Sequence, residues 1–495
     1  MQVLIRTDAS VAIGSGHVMR CLTLADGLRE KGATVSFVCR QAPGHLCDVI
    51  AAAGFVVHRL PVADSSAQWR DDATQTAAAM GKGAAVDWLI VDHYGLDRSW
   101  ESAMRPSARN ILVIDDLADR AHACDVLLDQ NYCTDLDRRY DSLVPDSCTK
   151  LLGPRFALLR SEFVSARPDA PRDVAVVRRV LVFLSGADPA NVTGRVLAAL
   201  DAVAEPEVEV DIVVGANGRH IDVLTAYCAK LPGRRLHVQT ARMAALLAEA
   251  DVAIGGGGST SWERACLGVP SLVIGLAQNQ LAIAEALAQS GAQLYLGRVE
   301  ELEDAALRDA ISVLLANRQL RNALARAVFS ITDGRGVGRV VRCLYRSQMS
   351  LRAAADGDCE RLFAWRNHPD TRRYFFDPAP IDLSAHRRWF ADTLADSTRA
   401  LLVGLVDGEE VGALRYDFSG DEARVSIYLD PARQGEGHGA ALLAVGTQWL
   451  RSNRKGLRAI VADVLPANEA SVRVFHTAGY RESHRCFRFE FSGAT

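Results

Sequence analysis

A chain of 495 residues is too long for one hydrophobic core and implies about three or four domains. Hydrophobic content of 49% against 23% charged residues is that of an ordinary globular protein, and a net charge of -4 points away from nucleic acid or any other polyanion as a partner. No stretch approaches the roughly 20 apolar residues that cross a bilayer, and the first residues already read as a strand, so the expectation is a cytoplasmic protein with no membrane partner. The 11 cysteines form no CxxC pair and no His/Cys cluster at zinc spacing, so they read as reduced thiols and no metal is expected.

Gln2 to Arg6 reads as a strand, Thr7 to Gly16 as a loop and His17 to Lys31 as a helix. Val18, Cys21, Leu22, Ala25 and Leu28 form one apolar stripe on it and Gly32 closes it. A second strand, Thr34 to Cys39, completes a βαβ unit, whose first loop lies where parallel sheets bind ligands. Gly14, Gly16 and Met19 do not make a GxGxxG fingerprint. His17 sits in the first turn, where the helix dipole opposes protonation, so a neutral imidazole able to accept a proton is one reading; a histidine that only caps the loop is the other. Further strands read at Trp88 to Asp92 before HYG, at Ile111 to Ile114 before Asp115 and Asp116, and at Val126 to Leu128 before DQNY. Taken singly, each of those carboxylates reads as a helix N-cap or turn residue.

Between Leu151 and Pro171 the pattern breaks at Gly153, Pro154, Pro168 and Pro171, and then alternation restarts at Arg179 to Leu184, Val208 to Val214 and Arg235 to Val238. Two α/β halves with a cleft between them are expected. The second half carries the stretch VAIGGGGSTSWERACLGVPSLVIGLAQNQ. Gly255 to Gly258 followed by a helix start suit a phosphate or pyrophosphate, because the backbone can approach closely and the helix amides are unpaired. Tight packing of a helix on a strand is the alternative reading of the same glycines. Glu263, one turn in, suits a ribose hydroxyl pair or else a capping or solvated role. Gly268 and Pro270 end that helix, and a strand from Ser271 to Ile274 carries Asn279 and Gln280 beyond its far end.

The segments IRTDASVAIGSGHVMRCLTLA, VDHYGLD, LLGPRFALLRSEF and GGGGSTSWERACLGVP together resemble the UDP-2,4-diacetamido-2,4,6-trideoxy-β-L-altropyranose hydrolases of pseudaminic acid biosynthesis, relatives of the GT-B glycosyltransferases. The resemblance covers about residues 1 to 345 and implies two Rossmann-like halves, 1–160 and 161–346. It implies that water replaces a sugar acceptor, that His17 is the catalytic base, and that Gly256 to Glu263 hold UDP. The implied UDP-sugar site comprises Asp8, Gly16, Tyr94, Gly256, Gly257, Gly258, Ser259, Thr260, Glu263, Asn279 and Gln280. Ser185, where such enzymes tend to carry a second glycine, departs from the pattern.

Composition changes at Ser347 to Arg352. Ala400 to Val406, the Asp407 and Gly408 turn and Val411 to Asp417 then read as a hairpin, and Arg424 to Leu429 as a third strand. Gln434 to Gly439 form QxxGxG before an amphipathic helix, and a strand from Arg458 to Val464 leads to NEASVRVFHTAGY. This part, residues 350–495, is similar to the Gcn5-related N-acetyltransferases (GNAT), in the aminosugar and ribosomal-protein branch by WRNHPDTRRYF and SAHRRWF. The resemblance implies acetyl-CoA as co-substrate, held by Leu429, Gln434, Gly435, Gly437, His438, Gly439, Asn468, Ser471 and Phe475. Phe475 stands where many relatives have a tyrosine that protonates the departing thiolate, and phenyl has no proton to give. Tyr480 or a water are the substitutes; Glu422, His438 and Asp463 are candidate bases, each more readily a surface or structural residue.

In the pathway so implied, acetylation of a UDP-4-amino sugar comes directly before removal of UDP, so the fusion joins consecutive steps on a UDP-aminosugar. The alternatives are a true glycosyltransferase in the first part, an acetyltransferase for protein amino termini in the last, and a non-catalytic nucleotide-sugar sensor.

Overall fold

The computed structural model describes all residues except 12, 63–68, 82–84, 187, 206, 217, 347–348, 407, 436–437, 466 and 483–495, and the side chains of 279 and 346. The chain divides into two units, Met1–Val341 and Arg342–Thr495.

The first unit contains two parallel sheets. Strands β1 (Gln2–Thr7), β2 (Thr34–Arg40), β3 (Val56–Leu60), β4 (Val86–Asp92), β5 (Ala108–Ile114), β6 (Val126–Asp129) and β7 (Thr149–Leu152) lie in the order 3-2-1-4-5-6-7. Strands β8 (Arg179–Phe183), β9 (Glu209–Val214), β10 (Arg234–Val238), β11 (Val252–Gly256), β12 (Ser271–Gly275) and β13 (Leu294–Arg298) lie in the order 10-9-8-11-12-13. Central strands such as β11 are buried at every residue because helices cover both faces, which is why they read as unbroken apolar runs. Each sheet reverses direction of growth once, between β1 and β4 and between β8 and β11. At such a switch point neighbouring loops turn to opposite faces and leave a crevice beyond the carboxyl ends. The loop before His17 and the residues after Asp92 flank the first crevice; the glycine run flanks the second.

Three strands of the first unit went unread in the sequence. β3 and β13 are short and half-exposed, so they lack a strong apolar run, and β7 falls where glycine and prolines suggested a break. Asn279 and Gln280 do not extend a strand: they stand in the first turn of the helix Gln278–Gln289. The segment expected to be a simple hinge is tied to the second half. The Arg167 guanidinium donates to the carbonyls of Cys266 (2.5 Å), Thr332 (2.8 Å) and Phe329 (3.0 Å), and Arg172 donates to those of Leu267 (2.9 Å), Ala250 (2.7 Å) and Leu247 (3.2 Å). These arginines satisfy carbonyls at helix C-termini that would otherwise lack donors.

The second unit is one five-stranded sheet, β14 (Met349–Ala353), β15 (Arg399–Val406), β16 (Glu409–Ser419), β17 (Glu422–Leu429) and β18 (Ala459–Val461), in sequence order. All pairings are antiparallel except β17 with β18, which run parallel over three residue pairs, Glu422↔Ala459 to Arg424↔Val461. One face packs Leu402, Leu414 and Val425 against Leu442 and Leu443 of the helix His438–Asn453. The other packs Val403 and Ala413 against Leu362, Trp365 and Phe390 of the helices Cys359–Asn367 and Leu383–Ala395.

Candidate functional site

His17 is the second residue of the helix Gly16–Arg29, whose open start at Gly16 has nothing within 4 Å of a would-be Cβ. The ring is 7% exposed. Its Nδ1 lies 2.6 Å from Oδ1 of Asp92, the last residue of β4. Arg20, on the same helix face, donates through Nε to Asp92 Oδ2 (2.6 Å) and through Nη2 to Oδ1 (2.7 Å), and its Nη1 reaches Asp116 Oδ2 at 2.8 Å. Burial pushes the Asp92 carboxyl up, but Arg20 and His17 outweigh it and hold the group far below the usual carboxylate range. An anion at Nδ1 makes that nitrogen the donor, so in the neutral ring the lone pair is on Nε2. Asp92, not the helix dipole, therefore orients the imidazole. Tyr94 stands edge-on to the imidazole, centroids 4.5 Å apart at 84°.

A second histidine next door has the opposite arrangement. His93 Nδ1 accepts the Gly95 amide at 2.9 Å, so Nε2 carries the proton and faces Asp8 Oδ2 at 3.3 Å. Neither nitrogen of His93 is left to accept a proton from a substrate. Asp8 is held within a buried network. It is gripped by both ends of Arg6 (2.7 and 2.8 Å) and accepts the Arg40 amide (2.7 Å), while Asp72 binds Arg6, Arg40 and the Trp100 indole. Asp8 reaches the crevice only through His93.

In the second half the four glycines serve different ends. A Cβ at Gly255 would stand 2.8 Å from both the Phe183 carbonyl and Arg264 Nη1, and Gly256 completes β11, so these two are required by packing. Gly257 and Gly258 border Gln280, with would-be contacts of 3.4 Å. None of the four has a positive φ, so close approach, not left-handed backbone, explains the run. Ser259 is the N-cap of the helix Thr260–Leu267 and makes no side-chain cap; the Ser261 and Trp262 amides donate instead to the carbonyls of Gly258 (2.9 Å) and Ser259 (3.1 Å). The side chain of Asn279 lies outside the described residues.

Glu263 is partly buried, with its side chain 17% exposed. Its Oε2 is buried without a hydrogen-bond partner, and the nearest cation, Arg160 Nη2, is 3.7 Å from Oε1. Burial pushes its carboxyl up to about 7. An orphan acceptor in the first turn after a phosphate-type loop suits a ribose diol. Arg264, unremarked in the sequence, is 3% exposed and forms no ion pair among the described residues. It donates to the Gly256 carbonyl (3.0 Å), Thr260 Oγ1 (3.1 Å) and Ser261 Oγ (3.1 Å), pinning the end of β11 to the helix. Burial lowers its guanidinium to about 10. Ser185 does not crowd the neighbouring loop: its Oγ accepts the Asp188 amide at 2.9 Å and shapes the turn.

In the C-terminal unit β17 parts from β18 after Arg424, so its edge from Val425 to Leu429 has no partner strand among the described residues. Such an open edge leaves amides and carbonyls for an extended amide ligand. Leu429 leads through Asp430 and the turn Pro431–Arg433 to Gln434 and Gly435, whose φ is +90°, and on to the helix starting at His438. Gly437 lies outside the described residues. A Cβ on Gly439 would meet Val474 at 3.2 Å, so this glycine admits the helix Glu469–Thr477. Asn468 caps that helix by accepting the Ser471 amide at 3.0 Å. Both residues therefore shape the helix start. Phe475 stacks edge-on against Tyr480, 5.1 Å away, and the Tyr480 hydroxyl lies 3.2 Å from Thr447 Oγ1. Glu422 is at the end of β17 remote from Leu429, and Asp463 is paired with Arg424. Among the described residues no group of three or more His, Cys, Asp or Glu could hold a metal ion, and no helix is long and apolar enough to cross a membrane.

Residues 348–481 match the family described as acetyltransferase (GNAT) domain, and residues 197–329 the one described as erythromycin biosynthesis protein CIII-like, C-terminal domain. The chain is 27% identical over 349 residues to the spore coat polysaccharide biosynthesis protein SpsG of Bacillus subtilis, covering 70% of this chain and 98% of that protein. It is 27% identical over 294 residues to the UDP-2,4-diacetamido-2,4,6-trideoxy-β-L-altropyranose hydrolase of Campylobacter jejuni, covering 59% of this chain and 97% of that enzyme. Among solved structures, MurG of Acinetobacter baumannii superposes with a TM-score of 0.50 at 18% identity, over 69% of this chain and 99% of its own. The chain is thus an α/β protein with two Rossmann-like halves in the GT-B arrangement, followed by a GNAT acetyltransferase domain.

Proposed function

We propose that the chain is a bifunctional enzyme of pseudaminic acid biosynthesis. The C-terminal unit transfers acetyl from acetyl-CoA to the 4-amino group of UDP-4-amino-4,6-dideoxy-N-acetyl-β-L-altrosamine. The first unit then hydrolyses the product to 2,4-diacetamido-2,4,6-trideoxy-L-altropyranose and UDP. The observation that carries the hydrolytic step is the Asp92–His17 pair, 2.6 Å apart, which leaves Nε2 as the one proton acceptor of the two crevice histidines. In that step a water gives its proton to His17 Nε2 as its oxygen attacks the linkage between sugar and diphosphate, and that bond breaks to give the free sugar and UDP. The loop Gly257–Thr260 would receive the diphosphate and Glu263 the ribose. In the acetyl transfer the amine nitrogen forms the amide bond, the thioester bond breaks, and CoA leaves as the thiol.

Two relatives are matched over 98% and 97% of their own length while covering 70% and 59% of this chain, which supports reading the first unit as an enzyme in its own right. The test is incubation with the UDP-4-amino sugar and acetyl-CoA, with CoA and UDP measured separately. His17→Ala is expected to abolish UDP release while CoA release continues; hydrolysis at the parent rate would refute the base. A glycosyltransferase reading is favoured by the match to the CIII-like family. It requires that UDP release wait for an added sugar acceptor.

A further inference from the structure

Two polar groups in the C-terminal unit are buried without partners and lie together. Arg366 Nη1 and the Tyr428 hydroxyl each have no hydrogen-bond partner, and both residues border Phe375, whose ring centroid is 3.5 Å from the Arg366 guanidinium and 6.5 Å from that of the Tyr428 ring. Both are donors. Arg366 forms no ion pair among the described residues; its guanidinium lies over the Phe375 ring, 3.5 Å from the centroid, and Nη2 reaches only the Asp377 carbonyl at 3.5 Å. The neighbouring Arg415, by contrast, is neutralised by Asp417 at 2.9 Å. A desolvated cation with no counter-charge is costly unless a ligand supplies one.

Strand register places these donors. Tyr428 pairs with Ala413 and Ser426 with Arg415, so all four side chains share one face, the face covered by the helices Cys359–Asn367 and Leu383–Ala395. Ile427 and Leu429 point to the other face, toward the helix His438–Asn453. The segment bearing Phe375 and Asp377 is held over Arg366 by Asn367, whose side chain donates to the Ile381 carbonyl and accepts its amide, both at 2.8 Å. Tyr428 directly precedes Leu429, at the open end of β17.

We infer that Arg366 and Tyr428 form an acceptor subsite that takes an oxyanion, the diphosphate of a nucleotide-linked amine, beside the strand end that receives the thioester. This rests on the reading of the acceptor as a UDP-aminosugar and says which part of it is gripped. The subsite is on the face away from the QxxGxG helix, so its anion is not the diphosphate of CoA. Polycationic amines would meet the uncompensated charge of Arg366 and be disfavoured.

The test measures initial rates of CoA release by the full chain with the UDP-4-amino sugar and with the methyl glycoside of the same amino sugar. The nucleotide-linked amine is expected to be preferred by about tenfold or more, the size of a charge-assisted hydrogen bond. Arg366→Met is expected to raise its KM by about that factor and erase the preference, with the KM for acetyl-CoA unchanged; Arg366→Lys restores part, and Tyr428→Phe costs a fewfold. UDP should compete with the acceptor in the parent and not in Arg366→Met. Unaltered acceptor KM in Arg366→Met, or a rise confined to the KM for acetyl-CoA, overturns the subsite while the substrate reading stands. A parent that acetylates only the methyl glycoside overturns both.

Discussion

The two halves of the first unit treat buried charge in opposite ways. Around His17 the buried carboxylates have cations beside them: Asp92 and Asp116 share Arg20, Asp8 and Asp72 share Arg6, and Asp72 also takes Arg40. Around the glycine run, Glu263 keeps a bare oxygen and Arg264 a charge without a carboxylate. Compensated charge fixes geometry, which a base needs before its substrate arrives; uncompensated charge is a standing cost that a ligand can relieve. The first half is built to orient, the second to receive.

The largest effect should come from disturbing orientation. Asp92→Asn places a side-chain amide at His17 Nδ1, so the ring turns its lone pair inward and UDP release should fall by about 10²–10⁴-fold with UDP binding retained. Steady-state rates beside calorimetric titration with UDP decide it; an undiminished rate would remove Asp92 from the mechanism. Asp72→Asn strips a counter-charge from Arg6 and Arg40 and should cost about 3–5 kcal/mol in denaturant unfolding. A loss below about 1 kcal/mol would mean the network is not the tight one seen.

On the receiving side effects should be smaller and depend on ligand. Glu263→Gln should weaken UDP binding about tenfold. Its carboxyl is raised from 4.5 to about 7, so the stability it contributes is complete below pH 4.5 and is lost as pH rises through about 7. The free parent should therefore lose stability across that window, and Glu263→Gln should not; identical pH profiles would contradict the raised carboxyl. The smallest change is expected at His93→Asn, within about threefold in UDP release, because that ring has no acceptor to offer. A loss as large as that of His17→Ala would break the contrast between the two histidines.

Much of this was legible in advance. Apolar runs ending in Asp92, Asp115 and Gly255 are strands because both sheet faces are covered, and the periodicity of Val18 to Leu28 could only be a helix against such a sheet. His17 and the glycine run stood out because their local context, a loop turning into a helix, is contained in a few successive residues. Arg20 could have been noticed three positions after His17, and Arg264 directly after Glu263. The capping role of Asn468, the packing role of Gly439 and the buried network of Asp8 were not readable, since each depends on a partner brought by another element.

The order of apolar strands and glycine turns, by itself, determined the two α/β halves, the appended antiparallel sheet and the position of His17 at a helix start, because those follow from local pattern. Only the tertiary structure decided which carboxylate meets the imidazole. Asp92 is 75 residues away from His17 and becomes its partner because β4 lies against β1, putting Thr7 beside Asp92. The same holds for which charges remain bare: pairing is a property of neighbours in space, and the chain order alone does not name them.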